Sequence, residues 1–388
     1  MSVTAPQGFR AAGVVAGLKQ SGDRDVAVVL NDGPSRAAAA VFTANRVQAA
    51  PVTWTRQVVK GGRVRAVVLN SGGANACTGP AGFQDTHATA EHLASALDAP
   101  PDEVGAGEIG VCSTGLIGER LPMGKLLPGV DEAVAEASRA GGLAAADAIR
   151  TTDSVVKIAF RRGTGYTIGG MAKGAGMLAP ALATMLCVLT TDADVSAGEL
   201  DAALRTATAM SFDRLDTDGC MSTNDTVLLM ASGAAGVTPD QREFTETLIE
   251  VCADLARQLQ LDAEGAEKMI TIEVVGAGSE RDAVTAGRAV ARNSLLKCAI
   301  GGEDPNWGRV LAAVGTTDAA FEPDRLNVAI NGVWVCRNGA PGDERSKVDL
   351  KPKDVTITVD LSAGPHSAVI LTTDLTAAYV HENSAYST

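Results

Sequence analysis

Short apolar runs rich in β-branched residues recur from one end of this chain to the other, and they restrict it to folds built on sheets. They are "DVAVVLN" from Asp25, "AAAAVFTAN" from Ala37, "VRAVVLNSG" from Val64, "MLCVLTTD" from Met185 and "TVLLMAS" from Thr226. Then come "MITIEVVGA" from Met269, "RVLAAVG" from Arg309, "RLNVAING" from Arg325, "DVTITVDL" from Asp354 and "AVILTTDL" from Ala368. Runs of this length and composition read as strands, several with the period-two alternation of a half-buried sheet. Helical patterns lie between them less regularly than a βαβ repeat requires. The clearest spans 239–260, with Thr238 as N-cap, Pro239 at the first helical position and Gln241 completing a capping box. Its Phe244, Leu248, Val251, Leu255 and Leu259 form one apolar stripe. Further helices are expected at 84–97, 130–150, 198–211 and 280–297, and a surface loop over "RNGAPGDERSK", 337–347. Strands interleaved with pairs of helices predict an α/β chain of layered sheets flanked by helices, not a doubly wound parallel sheet.

With 388 residues the chain has ample length to bury a core. A formal net charge of -13 and an aromatic content of 3% argue against a nucleic-acid partner: a phosphate backbone is repelled and stacking platforms are scarce. No apolar stretch reaches the length that spans a bilayer. The opening "MSVTAPQGFRAAGVVAGLKQ" lacks a basic region followed by an apolar one, so no signal peptide is expected, and the expected compartment is the cytoplasm. Cys77, Cys112, Cys187, Cys220, Cys252, Cys298 and Cys336 stand singly, as in a reducing compartment, and each is expected to be a small buried hydrophobe. His87 and His92 lie five apart on an expected helix, off the spacing that shares a face, so no metal site is expected there.

The stretch "MLAPALATMLCVLTTDA", 177–193, admits two chemistries. Thr184 heads an apolar run and reads as packing at the start of a buried strand. It also reads as a nucleophile: a threonine that becomes the first residue of a chain has its own α-amine as the activating base. That second reading requires cleavage between Ala183 and Thr184. "VCSTGLIG", 111–118, reads either as a strand-ending turn or as an oxyanion hole, in which the Gly115 N–H and the Thr114 hydroxyl face a developing negative oxygen. "NSGGANACTG", 70–79, has glycines that permit close backbone approach. "GGMAKGAG", 169–176, has neither dinucleotide nor P-loop spacing, and leaves Lys173 as a solvated lysine or as a partner for a substrate carboxylate.

"VLNSGGANACTG", "CSTGLIG", "KGAGMLAPALATML", "STNDTVLL", "DAEG", "DPNWGRVLAAVG" and the terminal "ENSAYST" occur in order, and together they resemble the ornithine acetyltransferase family, also called bifunctional glutamate N-acetyltransferase. The resemblance runs from about residue 3 to the last residue. It implies a layered α/β sandwich related to the autoprocessing aminopeptidases, with N-terminal-nucleophile chemistry. It also implies self-cleavage before Thr184, giving an α chain of residues 1–183 and a β chain of 184–388, with Thr184 catalytic. Thr114 and Gly115 match the oxyanion-hole pair. Thr151, Lys173, Thr184, Glu264, Asn383 and Thr388 match substrate-binding positions. The implied reaction moves an acetyl group from N2-acetylornithine to glutamate in arginine biosynthesis, without a cofactor. Members of the family differ in whether acetyl-CoA is also a donor, and the motifs do not separate them. The α and β chains are expected to associate, as a dimer of αβ units. Cys220-Met221 stand where relatives often carry Asp-Thr before "STND". Two rivals share these residues: an autoprocessed aminopeptidase or amidohydrolase with water as acceptor, and an uncleaved amino-acid-binding module. A paralogue in a secondary-metabolite pathway would use the same chemistry.

Overall fold

The computed structural model describes residues 2–97, 103–179 and 185–385. The chain begins with β1 (Phe9–Val14), β2 (Val26–Asn31), β3 (Ala38–Phe42), α1 (Ala50–Val58), β4 (Ala66–Asn70), α2 (Gly79–Leu97) and β5 (Ile109–Ser113). It continues with α3 (Met123–Glu136), α4 (Gly142–Ala148), β6 (Lys157–Arg162) and β7 (Thr167–Lys173). Beyond residue 184 come β8 (Leu186–Thr191), α5 (Ala197–Met210), β9 (Thr226–Ala231), α6 (Gln241–Leu261) and β10 (Met269–Ala277). The last third holds α7 (Glu280–Ala291), α8 (Ser294–Gly301), α9 (Trp307–Val314), β11 (Asn327–Ile330), β12 (Val333–Arg337) and β13 (Ala340–Pro341). It closes with β14 (Asp354–Asp360), β15 (His366–Thr373) and α10 (Ala377–Ala385).

The described strands form three sheets, ordered β1-β2-β4-β5, β3-β9-β8-β7-β6 and β13-β12-β11-β14-β10-β15. Successive side chains of a strand point to opposite faces. Ala27, Val29, Val67 and Leu69 of the first sheet therefore share a core with Val188, Leu228 and Met230 of the second. Their neighbours Val26, Val28, Leu30 and Val68 fill another core under Leu93 of α2 and Leu126 and Val130 of α3. On the far side of the second sheet, Leu189, Val227 and Leu229 pack on α5 and α6 through Leu204, Phe244 and Leu248. The order of layers is helices, sheet, sheet, helices, the layered α/β sandwich expected. It explains why β2, β4, β8 and β9 are apolar on both faces: none has a solvent side. The third sheet buries one face against α7 and α9, and its β14 alternates accordingly. No helix among the described residues is long and apolar enough to cross a membrane.

The second sheet is drawn from both sides of residue 184. β3, β6 and β7 precede it and β8 and β9 follow it; β7 pairs antiparallel with β8, Lys173 opposite Leu186.

Several elements depart from the pattern read in the sequence. "RVLAAVG" is helical, as α9, and buries Val310, Ala313 and Val314 at helical spacing. A short apolar run does not distinguish strand from buried helix by periodicity. The stretch 130–150 is two helices, because Ser138 exchanges two backbone hydrogen bonds of 3.0 Å with Ala11 and cannot stay in a helical ladder. The stretch 280–297 also breaks, at Asn293, whose side chain accepts from the Leu296 N–H at 2.9 Å and starts α8. α6 keeps its stripe but begins two residues late: Asp240, not Thr238, caps it by accepting from the Arg242 and Glu243 N–H groups at 3.0 Å each. Cys77, Cys220 and Cys298 are exposed, against the expectation of burial, while Cys112, Cys187, Cys252 and Cys336 are buried.

Candidate active site

Thr114 and Gly115 leave the end of β5 against the glycine-rich segment after β4. The Thr114 N–H donates to the Asn70 carbonyl at 3.0 Å, the Gly73 N–H to the Thr114 carbonyl at 3.0 Å and the Ala74 N–H to the Leu116 carbonyl at 2.9 Å. This approach leaves no room for a side chain at 115: with φ at +125°, a Cβ there would lie 2.6 Å from the Gly73 nitrogen. Asn224, ahead of β9, locks the two loops together, since its Nδ2 donates to the Ala74 carbonyl at 2.6 Å and the Ser113 carbonyl at 2.8 Å. The Gly115 N–H has no acceptor among the described residues and borders the cleft.

Lys173 ends β7 facing this corner and is only 2% exposed. Its Nζ donates to Thr151 Oγ1 at 2.6 Å and to Thr114 Oγ1 at 3.3 Å, and lies 3.9 Å from Asp153 Oδ2. Asp153 is the hub beneath it: Oδ1 accepts from Lys157 Nζ and from the Gly174 N–H, each at 2.6 Å. Burial works to raise the Asp153 carboxyl, but Lys173 and Lys157 prevail and hold it at about 2. Lys157, fully buried, also donates to Asp262 at 2.5 Å.

Across the cleft, Glu264 follows the end of α6. Thr152 Oγ1 donates to its Oε1 at 2.7 Å, and Asn383 Nδ2, from α10, donates to its Oε2 at 2.9 Å. α10 reaches the cleft through Asn383, and Thr376 Oγ1, just ahead of it, donates to the Gly265 carbonyl at 2.6 Å.

One cleft is lined by Thr114, Gly115, Thr151, Lys173, Glu264 and Asn383. Six of the positions singled out in the sequence thus converge from five separate stretches of chain. Ala183, Thr184 and Thr388 lie outside the described residues. Met185 is described: its N–H donates at 3.0 Å to Oδ1 of Asp225, a fully buried side chain whose Oδ2 has no partner among the described residues. Burial pushes the Asp225 carboxyl well above the usual range, with the Met185 N–H only partly opposing it. Asp153, Asn224 and Asp225 had no role assigned from sequence; their one local signal is a polar residue set beside buried apolar strands. At Cys220-Met221, Leu178 bridges to Met221, Asn45 Nδ2 donates to the Met221 carbonyl at 3.1 Å and Cys220 Sγ donates to the Asp218 carbonyl at 3.5 Å. No group of His, Cys, Asp or Glu suited to a metal occurs among the described residues.

The buried Asp153 has a measurable consequence. A carboxyl held at about 2, against an ordinary 3.8, adds stability that is complete above pH 4 and is lost as pH falls towards 2. The stability difference between wild type and Asp153→Asn, from urea midpoints, is expected to shrink by about 2 kcal/mol from pH 5 to pH 2. A difference independent of pH would contradict the assigned hub.

A family model described as the ArgJ family matches residues 10–388. The arginine biosynthesis bifunctional protein ArgJ of Thermobifida fusca is 74% identical over 388 residues, covering 100% of both chains. That of Mycobacterium tuberculosis (strain H37Rv) is 59% identical over 388 residues, covering 99% of this chain and 96% of the relative. A solved structure of ornithine acetyltransferase from Mycobacterium tuberculosis, complexed with ornithine, is 63% identical over 46% of this chain and 94% of its own, with a TM-score of 0.45.

Proposed function

The chain belongs to the ArgJ family, and from that premise we propose that it moves an acetyl group from N2-acetylornithine to glutamate through an acetyl-threonine ester on Thr184. The observation that carries this reading is the cleft itself. Its lining brings together a lysine, a glutamate, the Thr114 hydroxyl and the Gly115 N–H, which has no acceptor among the described residues. Such a cleft complements an amino acid that bears a carboxylate and a side-chain ammonium, and it offers donors to an acyl oxygen between them. Glu264 would meet the δ-ammonium, while Lys173, Thr151, Asn383 and Thr388 complete the binding walls.

The chemistry begins with cleavage. The Thr184 hydroxyl adds to the Ala183 carbonyl and the peptide nitrogen leaves with the hydroxyl proton; water then opens the ester, releasing residues 1–183 and a free α-amine on Thr184. The continuity of the second sheet supports lasting association of the two products, since β7 and β3 of one pair with β8 and β9 of the other. In turnover the amine takes the Thr184 hydroxyl proton as Oγ attacks the acetyl carbonyl. Thr114 and Gly115 donate to the oxyanion. Collapse expels ornithine, whose nitrogen receives that proton from the α-ammonium. The amine of glutamate, in neutral form, then attacks the ester, N-acetylglutamate leaves, and Oγ recovers a proton. A dimer of αβ units, and acetyl-CoA as a second donor to the same Oγ, remain within the proposal.

Product analysis tests it. With N2-acetylornithine and glutamate supplied, acetylglutamate is expected to form in step with released ornithine, and a parallel reaction with acetyl-CoA reports the second donor. Free acetate as the main product would instead make the protein a hydrolase, and ligand binding without turnover would make it a binding module.

A further inference from the structure

We infer that Lys173 is a positioning residue of the oxyanion hole: its ammonium donates to the Thr114 hydroxyl and so turns that hydroxyl's own proton into the cleft. The inference deepens the acetyl-transfer reading and rests on it.

An ammonium carries three hydrogens and no lone pair, whereas a threonine hydroxyl carries one hydrogen and two acceptor sites. In the contact of 3.3 Å between Lys173 Nζ and Thr114 Oγ1, the threonine can therefore only accept. Its hydrogen must point away from the lysine. Among the described residues that hydrogen has no acceptor, and Thr114, itself 2% exposed, borders the cleft where an acyl oxygen would sit. A free hydroxyl rotor would spend much of its time turned the wrong way for an oxyanion. A charged donor behind it removes that freedom and polarises the O–H bond.

The lysine is in turn held. Thr151 Oγ1 takes a second hydrogen at 2.6 Å, and Asp153, anchored by Lys157 and the Gly174 N–H, lies 3.9 Å away. Two of three hydrogens are thus committed within the protein, which leaves at most one for a substrate carboxylate. The charged groups that face Lys173 are Asp153 and Lys157 from the segment leading into β6, Glu264 beyond α6 and Asp225 before β9. Burial draws the lysine below its ordinary value, and Asp153 is the chief group opposing that. Asp153 favours the ammonium form, the ammonium orients Thr114, and Thr114 meets the oxyanion.

The test is a double-mutant cycle on acetyl transfer with Lys173→Met, Thr114→Val and the pair. Lys173→Met is expected to lower kcat about 10²-fold while KM for N2-acetylornithine changes less than about threefold, and to add less than about threefold once Thr114 is already Val. A raised KM with kcat kept would make Lys173 a carboxylate anchor and overturn the inference; so would losses that multiply in the double variant. Should Lys173→Met fail to fold or to cleave, Asp153→Asn decides: loss of its negative charge is expected to move the alkaline limb of the kcat profile to lower pH, and an unmoved limb overturns the inference. Wild-type protein that makes no acetylglutamate fails before any variant is compared, and takes the inference down with the acetyl-transfer reading.

Discussion

Thr184→Ala protein is expected to remain one unbroken chain of 388 residues and to transfer acetyl groups about 10⁶-fold more slowly than wild type. Wild type is expected to give two masses on denaturation, meeting between Ala183 and Thr184, and to elute as one species under native conditions. The expected loss is large because one hydroxyl serves twice. Without it the Ala183 carbonyl has no neighbouring nucleophile, so no α-amine is released; without it there is also no oxygen to hold the acetyl group. Thr184→Ser separates these roles from mere shape: it keeps the hydroxyl and is expected to cleave and to turn over. Native co-elution follows from a sheet in which β7 is hydrogen-bonded to β8 along its whole length. A single intact wild-type mass would remove the activating base, and substantial transfer by the alanine variant would assign the nucleophile elsewhere.

Gly115→Ala is expected to cost about 10² to 10³ in kcat, the loss typical of one oxyanion donor, and about 1–3 kcal/mol in stability. Two effects coincide at this position. A φ of +125° disfavours any L side chain, and the added Cβ would press on the backbone of Gly72 and Gly73 at 2.6–2.8 Å, where no flexible side chain can swing aside. The loop must move, and the Gly115 N–H moves with it. Gly118→Ala separates the two effects, since Gly118 has φ at +91° but its Cβ would meet nothing within 4 Å. That variant is expected to lose stability alone and to keep kcat. Equal losses of kcat in both variants would mean that backbone strain, not the position of the Gly115 N–H, controls the rate.

Much of the sandwich was legible in the sequence, although β1, β6 and β12 were not among the runs read as strands. β10 matched its run residue for residue, "MITIEVVGA" over Met269–Ala277, because one half-buried face imposes alternation. β8 and β9 were legible for the opposite reason, since burial on both faces leaves unbroken apolar runs. α9 was misread because eight residues are too few for a helical period to stand out; the break at Ser138 follows from hydrogen bonds to distant Ala11, and that at Asn293 from its side chain capping the Leu296 N–H. α10 carries no buried residue and hence no stripe to read.

The sequence by itself determined most of the strands, the apolar stripe of α6 and the family to which these motifs belong. Each is a property of neighbouring residues, set by side-chain period, burial and turn chemistry. Only the tertiary structure decided that the ends of β5, β7 and α6 meet at one cleft with α10 across it. It alone decided that Lys173 is committed to two hydroxyls above a buried Asp153, and that Asn224 clasps two loops. Those outcomes depend on contacts between residues tens to more than a hundred positions apart, which form when apolar layers close over one another and which local spacing does not encode.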